Sequence, residues 1–128
     1  MSRWTLEVAG RFEAAHRLTS WRGAPEATHG HSWRVVVRLE TDGLDREGMA
    51  YDFVAVKGAL AALTGGLDHC DLNALAPFDR ESPTTERVAR WFFEELAAKL
   101  PEAPLAAVAV YEGPDCSATY RPGREEAR

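Results

Sequence analysis

Two stretches of the chain alternate apolar and polar side chains with a period of two, and this pattern narrows the folds open to it more than any other feature. From Trp4 to Phe12 the even positions Trp4, Leu6, Val8 and Phe12 are apolar, and His16 lies on the same parity. From Trp33 to Leu39 the odd positions Trp33, Val35, Val37 and Leu39 alternate with Arg34, Val36, Arg38 and Glu40. Alternation of this kind is a strand with one buried face, so both stretches are expected to be strands, joined by a loop containing Gly23, Pro25 and Thr28. After the turn-like run from Asp42-Gly43 to Gly48 the period changes. Phe53, Val56, Leu60 and Leu63 recur at helical spacing behind Asp52 as cap, and Gly65 and Gly66 are expected to stop that helix. Ser82 as cap and Pro83 at the first helical position announce a second helix, with Val88, Trp91, Phe92, Leu96 and Leu100 along one face and Pro101 at its end. Leu105 to Glu112 and Ser117 to Arg121 flank a Gly113-Pro114-Asp115 turn as a hairpin. The expected order is β-β-α-α-β-β: an α+β fold, an antiparallel sheet with two helices on one face.

Length and charge then exclude several function classes. With 128 residues the chain is expected to be a single domain over residues 1–122, followed by a charged, flexible tail at 123–128. A domain of this size buries only about two-thirds of its unfolded surface, which leaves edges for self-association. Fifteen Lys and Arg against 20 Asp and Glu give a net charge of -5 with no basic stripe. This argues against general nucleic-acid binding while leaving room for a local basic pocket. No apolar run approaches the ~18 residues of a membrane span. The first residues carry no basic head followed by an apolar segment, so no membrane association and a cytoplasmic location are expected. Cys70 and Cys116 form neither a disulfide framework nor a Cys-x-x-Cys metal motif, so any metal must be held by other ligands.

All four histidines sit in suggestive places: His16, the His29-Gly30-His31 pair, and His69 after Asp68. In an extended segment His29 and His31 point to one face, roughly 6.5–7 Å apart, and their parity runs into Trp33 and Val35 on the core-facing row. A neighbouring strand supplying His16 would complete a three-nitrogen site with an open fourth position, the arrangement of catalytic zinc. The alternative is a chance His-x-His with His16 as a hydrogen-bonded strand-end residue, and spacing alone does not choose between them. Asp68-His69 suits proton transfer, or His69 simply caps a helix end. Glu112, at the end of an apolar strand, either reaches solvent or accepts paired hydrogen bonds from a ligand's amino-amide edge.

Phe-x-Ala-Ala-His, His-Gly-His, Asp52-Phe53, Leu67-Asp68-His69-Cys70-Asp71-Leu72-Asn73, Pro83-Thr84-Thr85-Glu86 and Tyr111-Glu112 follow one another in this order. In these motifs, and over nearly its whole length, the chain resembles the 6-pyruvoyltetrahydropterin and 6-carboxytetrahydropterin synthase family. The resemblance implies the tunnelling fold, with a four-stranded antiparallel sheet and two helices, assembled into trimers and hexamers with sites between subunits. It implies His16, His29 and His31 as zinc ligands, Asp68 and His69 as a proton relay, and Glu112 as the pterin anchor. Thr84, Thr85 and Glu86 fall near the pterin pocket, where helix capping is an equally good reading.

One departure bears on the reaction. Family members that make the pyruvoyl or carboxy product resemble one another in a catalytic Cys four residues before the first His of His-Gly-His, and Pro25 stands there in this chain. Glu26 gives Glu-x-x-His-Gly-His instead, which resembles a branch with glutamate in place of the cysteine. The implied activity is a zinc-dependent lyase acting on 7,8-dihydroneopterin triphosphate, with Glu26 as base and retro-aldol cleavage to 6-hydroxymethyl-7,8-dihydropterin, a folate precursor. A carboxylate suits proton removal from an activated hydroxyl, whereas abstraction from carbon favours a stronger base such as a thiolate. The alternatives are a 6-carboxytetrahydropterin synthase of queuosine biosynthesis or a 6-pyruvoyltetrahydropterin synthase, with Cys70 as the remaining thiol, and a non-catalytic pterin- or purine-binding protein of the same fold. Arg17 and Arg22, in the loop after His16, are candidates for phosphate contact.

Overall fold

A computed structural model describes residues 3–123, so all but the first residue of the expected tail at 123–128 lies outside the described residues. The elements in chain order are β1 (Trp4–His16), β2 (His29–Thr41), α1 (Phe53–Leu67), β3 (Cys70–Asp71), a 3-10 turn at Leu72–Ala74, α2 (Thr85–Lys99), β4 (Leu105–Glu112) and β5 (Ser117–Tyr120). The sheet order is β3-β1-β2-β4-β5. The α+β class, the two helices and the four antiparallel strands match the expectation, and β3 adds a fifth strand, parallel to β1.

The alternation continues through the histidines. β1 pairs with β2 over all thirteen residues of each strand, from Trp4 opposite Thr41 to His16 opposite His29. Even positions of β1, odd positions of β2 and even positions of β4 therefore share one face. That face carries Val8, Phe12, Val35, Val37, Val108 and Val110, all buried against Val56, Leu60 and Leu63 of α1 and Val88, Phe92 and Leu96 of α2. Phe12 and Trp33 stack with ring centroids 5.6 Å apart and planes 4° from parallel. Gly10 occupies a core-row position where α1 crosses closely, since a Cβ there would stand 3.0 Å from Leu60 Cδ2.

Three local expectations need correction. Gly65 and Gly66 do not stop α1, which runs to Leu67. Each glycine costs a helix about 1 kcal/mol relative to alanine, but burial of Leu63 and of Leu67 one turn later offsets the penalty. The break comes at Asp68, in extended conformation, and at His69, whose φ of 58° turns the chain back toward β1. The cap of α2 is Thr84 and not Ser82; its Oγ1 accepts from Arg87 N–H at 3.1 Å. Ser82 Oγ instead accepts from the Thr19 backbone N–H. Pro83 lies before the cap, and its carbonyl is spoken for by a histidine. The last strand closes at Tyr120, one residue short of Arg121. Asp52 caps α1 as expected, accepting from Val54 N–H at 2.8 Å.

Phe92 is fully buried beneath Phe12 and Trp91. Replacing it with alanine is expected to cost about 3–5 kcal/mol in urea denaturation, and a loss below about 1 kcal/mol would contradict this packing.

Candidate metal centre

The β1–β2 register places His16 directly across from His29, with His31 two residues further along the same face. Glu112 joins them from the end of β4, where it pairs with Trp33. The three imidazoles meet edge-on, with centroid separations of 4.7 Å for His16–His29, 5.4 Å for His16–His31 and 4.7 Å for His29–His31. One donor atom from each histidine and one carboxylate oxygen of Glu112 all lie within 4.8 Å of one another. Trp33 forms the floor, its ring 4.9 Å from that of His16 and its Nε1–H donated to the Ala14 carbonyl.

Backbone carbonyls orient two of the rings. His16 Nδ1 is 2.9 Å from the Pro83 oxygen, and His29 Nδ1 is 3.0 Å from the Ala27 oxygen. A carbonyl only accepts, so each Nδ1 carries the hydrogen and each Nε2 is left with its lone pair, the arrangement that fixes a metal-binding tautomer. The Nε2 atoms of His16 and His31 are buried without a hydrogen-bond partner. Glu112 Oε1 approaches them at 3.7 and 2.8 Å, the shorter contact lacking hydrogen-bond alignment. Buried electron-rich atoms facing one another are costly, and a cation among them would remove the cost. Three nitrogens and one carboxylate oxygen form a donor set that fits zinc. Burial lowers the pKa of His31, with His29 and His16 acting in the same direction and Glu112 against them; a depressed pKa favours the neutral imidazole that a metal requires.

The structure brings most of the other expected residues to this place. Glu26 shares a cavity of about 230 Å³ with His16, Thr84, Thr85, Glu86 and Glu112. Its Oε1 accepts from Leu18 N–H at 3.0 Å and lies 3.7 Å from His29 Nδ1. Thr85 Oγ1–H donates to Glu112 Oε2, and Thr84 serves as helix cap. Glu112 as a fourth potential ligand goes beyond the sequence reading, although its place on the even row of β4 with Val108 and Val110 is the signal that could have shown it.

Asp68 and His69 are paired, Oδ2 to Nδ1, at 2.9 Å. Asp68 Oδ1 also accepts from Glu13 N–H at 2.8 Å, and this hydrogen bond holds its carboxyl below the usual range, against the opposing effect of desolvation and with His69 adding to it. Within one chain the pair stands apart from Glu26. His69 lines a separate cavity of about 560 Å³ with Glu13, Ser32, Cys70 and His31. Neither cysteine lines the Glu26 cavity, and neither does Arg17 or Arg22; the Arg22 guanidinium lies over Trp21.

Comparison with known proteins identifies the family and the fold. The family model described as 6-pyruvoyl tetrahydropterin synthase matches residues 5–123. A Synechocystis protein named 6-carboxy-5,6,7,8-tetrahydropterin synthase is 41% identical over 106 residues, covering 78% of this chain and 77% of its own. A Pyrococcus furiosus protein named dihydroneopterin monophosphate aldolase is 31% identical over 105 residues, covering 80% and 83%. The structure of Caenorhabditis elegans 6-pyruvoyl tetrahydropterin synthase superposes with a TM-score of 0.82 at 27% identity, covering 96% of this chain and 98% of that one.

The lowered pKa of His31 has a consequence for stability in the metal-free protein. Its folded value lies below the ~6.5 of an unfolded chain, so its contribution is complete above that pH and is lost as pH falls through the folded value. Denaturation of chelator-treated protein at about pH 7.5 and about pH 5 should show a fall in stability that His31→Gln reduces. An equal fall in both proteins would contradict the assignment.

Proposed function

The chain belongs to the 6-pyruvoyl tetrahydropterin synthase family, and from that premise we propose that it cleaves the side chain of 7,8-dihydroneopterin triphosphate by a retro-aldol reaction, leaving 6-hydroxymethyl-7,8-dihydropterin. The observation that carries this reading is the carboxylate of Glu26, and no thiol, in the cavity beside His16 and Glu112. His16, His29 and His31 would hold zinc, which when bound supplies Lewis-acid polarisation of a substrate oxygen. Glu26 takes the proton of the C2′ hydroxyl. The C1′–C2′ bond then breaks, C2′ leaves as the aldehyde carbon of the phosphorylated two-carbon fragment, and the electron pair passes into the dihydropterin imine. Proton return to C1′ completes the hydroxymethyl group, and Asp68-His69 is the pair suited to supply it. Because His69 lines a different cavity from Glu26 within its own chain, the pair would serve the site of a neighbouring copy, in keeping with a trimer or hexamer as the working assembly.

Glu112, braced by Thr85, anchors the amino-amide edge of the pterin, with Thr84 and Glu86 at the pocket rim. The Pyrococcus furiosus relative, named an aldolase, supports carbon–carbon cleavage, and its name specifies a monophosphate substrate. In a Plasmodium vivax synthase that shares the fold at 18% identity, a glutamate is the residue replaced in a catalytic-residue mutant, so the fold accommodates a catalytic glutamate. The second reading, a 6-carboxytetrahydropterin synthase, is favoured by the 41% identity of the Synechocystis relative. A pterin-binding protein without catalysis would have no use for three oriented imidazoles.

Mass spectrometry of products from zinc-loaded protein and dihydroneopterin triphosphate separates these readings, and the monophosphate run in parallel sets the preferred phosphate chain. 6-Hydroxymethyl-7,8-dihydropterin is expected, and 6-carboxytetrahydropterin as the sole product would overturn the proposal. Glu26→Ala should reduce kcat by about 10²- to 10⁴-fold with zinc content unchanged. Glu112→Gln should raise KM while retaining zinc; loss of zinc in that variant would make Glu112 a ligand and not the ring anchor.

A further inference from the structure

The face of the sheet turned away from the helices carries its own row of cross-strand pairs, and one of them is unlike the others. Between β1 and β2 on that face, Glu7 lies opposite Arg38 and forms an ion pair at 2.9 Å. Ala9 lies opposite Val36, and Glu13 lies opposite Ser32, whose hydroxyl donates to its carboxylate. Thr5 lies opposite Glu40, which pairs with Arg3. Arg11, however, lies directly opposite Arg34. Like charges directly opposite one another destabilise a sheet, whereas Glu7 and Glu40 on this face each form an ion pair with an arginine and Glu13 accepts from Ser32. Among the described residues neither guanidinium has a carboxylate partner. Glu13, on the next rung, is engaged by Ser32.

The two arginines share a cavity of about 360 Å³ with Ser32 and Tyr111. Tyr111 continues the rung onto β4, directly beside Arg34, whose guanidinium lies 5.3 Å from the ring centroid. This contact limits the freedom of one fork, and the opposing strand presents the second. Two planar, permanently charged forks lining one hollow match a tetrahedral oxyanion that accepts several parallel hydrogen bonds.

We propose that Arg11 and Arg34 form a phosphoryl-binding site on the helix-free face of the sheet, with Tyr111 positioning Arg34. The ligand is a phosphate-bearing anion, and it supplies the negative charge that would offset the two facing arginines. The site lies on the opposite face from the histidine cluster of its own chain and stands or falls independently of the reaction assigned to that cluster.

Calorimetric titration of the purified protein with pyrophosphate, and in parallel with β-glycerophosphate, tests this and distinguishes a free polyphosphate from a phosphate ester by which binds more tightly. Arg11→Gln and Arg34→Gln are each expected to weaken binding by about tenfold or more, and Tyr111→Leu by less. Without anion, Arg34→Gln should melt at a higher temperature than the natural protein, because the repulsion across the rung is relieved, and added pyrophosphate should close that gap. Absence of binding by both anions, or equal affinity in the arginine variants, would overturn the proposal. Dissociation of an oligomer by the variants without any anion binding would also overturn it, because the rung would then meet a carboxylate of a second copy.

Discussion

The antiparallel register of β1 against β2 is the constraint on which the rest of the structure depends. Thirteen consecutive pairs bring His16 opposite His29, and the two-residue period then commits every other side chain to one face. A slip of one residue would move the whole apolar row of one strand to solvent and carry its histidines with it. Burial of Val8, Phe12, Val35 and Val37 beneath the helices therefore specifies the position of the imidazoles as firmly as it specifies the core. Fold and site are settled by the same pattern of side chains.

The cluster itself works against stability until something joins it. Nε2 atoms without hydrogen-bond partners, turned toward a carboxylate and walled by Trp33, are an expensive arrangement in the absence of a positive charge. Ordered backbone carbonyls at Pro83 and Ala27 hold the rings in place regardless. Such preorganisation means that little rotamer freedom is left to lose when a ligand binds. It also couples the site to α2, since the carbonyl that orients His16 belongs to the residue immediately before the cap Thr84. Thr85, in the first turn of the same helix, holds Glu112.

Much of this was legible in the sequence because it rests on periodicity. The long strands, both helices, the hairpin of β4 and β5, and the common face of His16, His29 and His31 all follow from positions two or about four residues apart. Features decided by tertiary contact were not legible. The pull of buried Leu67 carries α1 through two glycines, and the turn at His69 creates the short strand β3. Ser82 and Thr84 are equally good caps by residue type, and only the engagement of Ser82 with Thr19 separates them. The fourth donor, Glu112, was readable as a pterin anchor from resemblance, but its distance from the imidazoles depends on the β2–β4 register. Asp68 and His69 could be recognised as a pair, whereas the cavity that His69 lines is a property of the folded chain.

The chain belongs to the 6-pyruvoyl tetrahydropterin synthase family, and Glu26 lines the cavity beside His16 and Glu112, which neither cysteine lines. The proposed reaction rests on the claim that the three imidazoles, with no sulfur, would hold the metal. X-ray absorption spectroscopy at the zinc edge of the zinc-loaded protein tests that claim most directly. The account predicts a first shell of nitrogen and oxygen only, at about 2.0–2.1 Å. A sulfur neighbour at about 2.3 Å would contradict it and return the cysteines to the site.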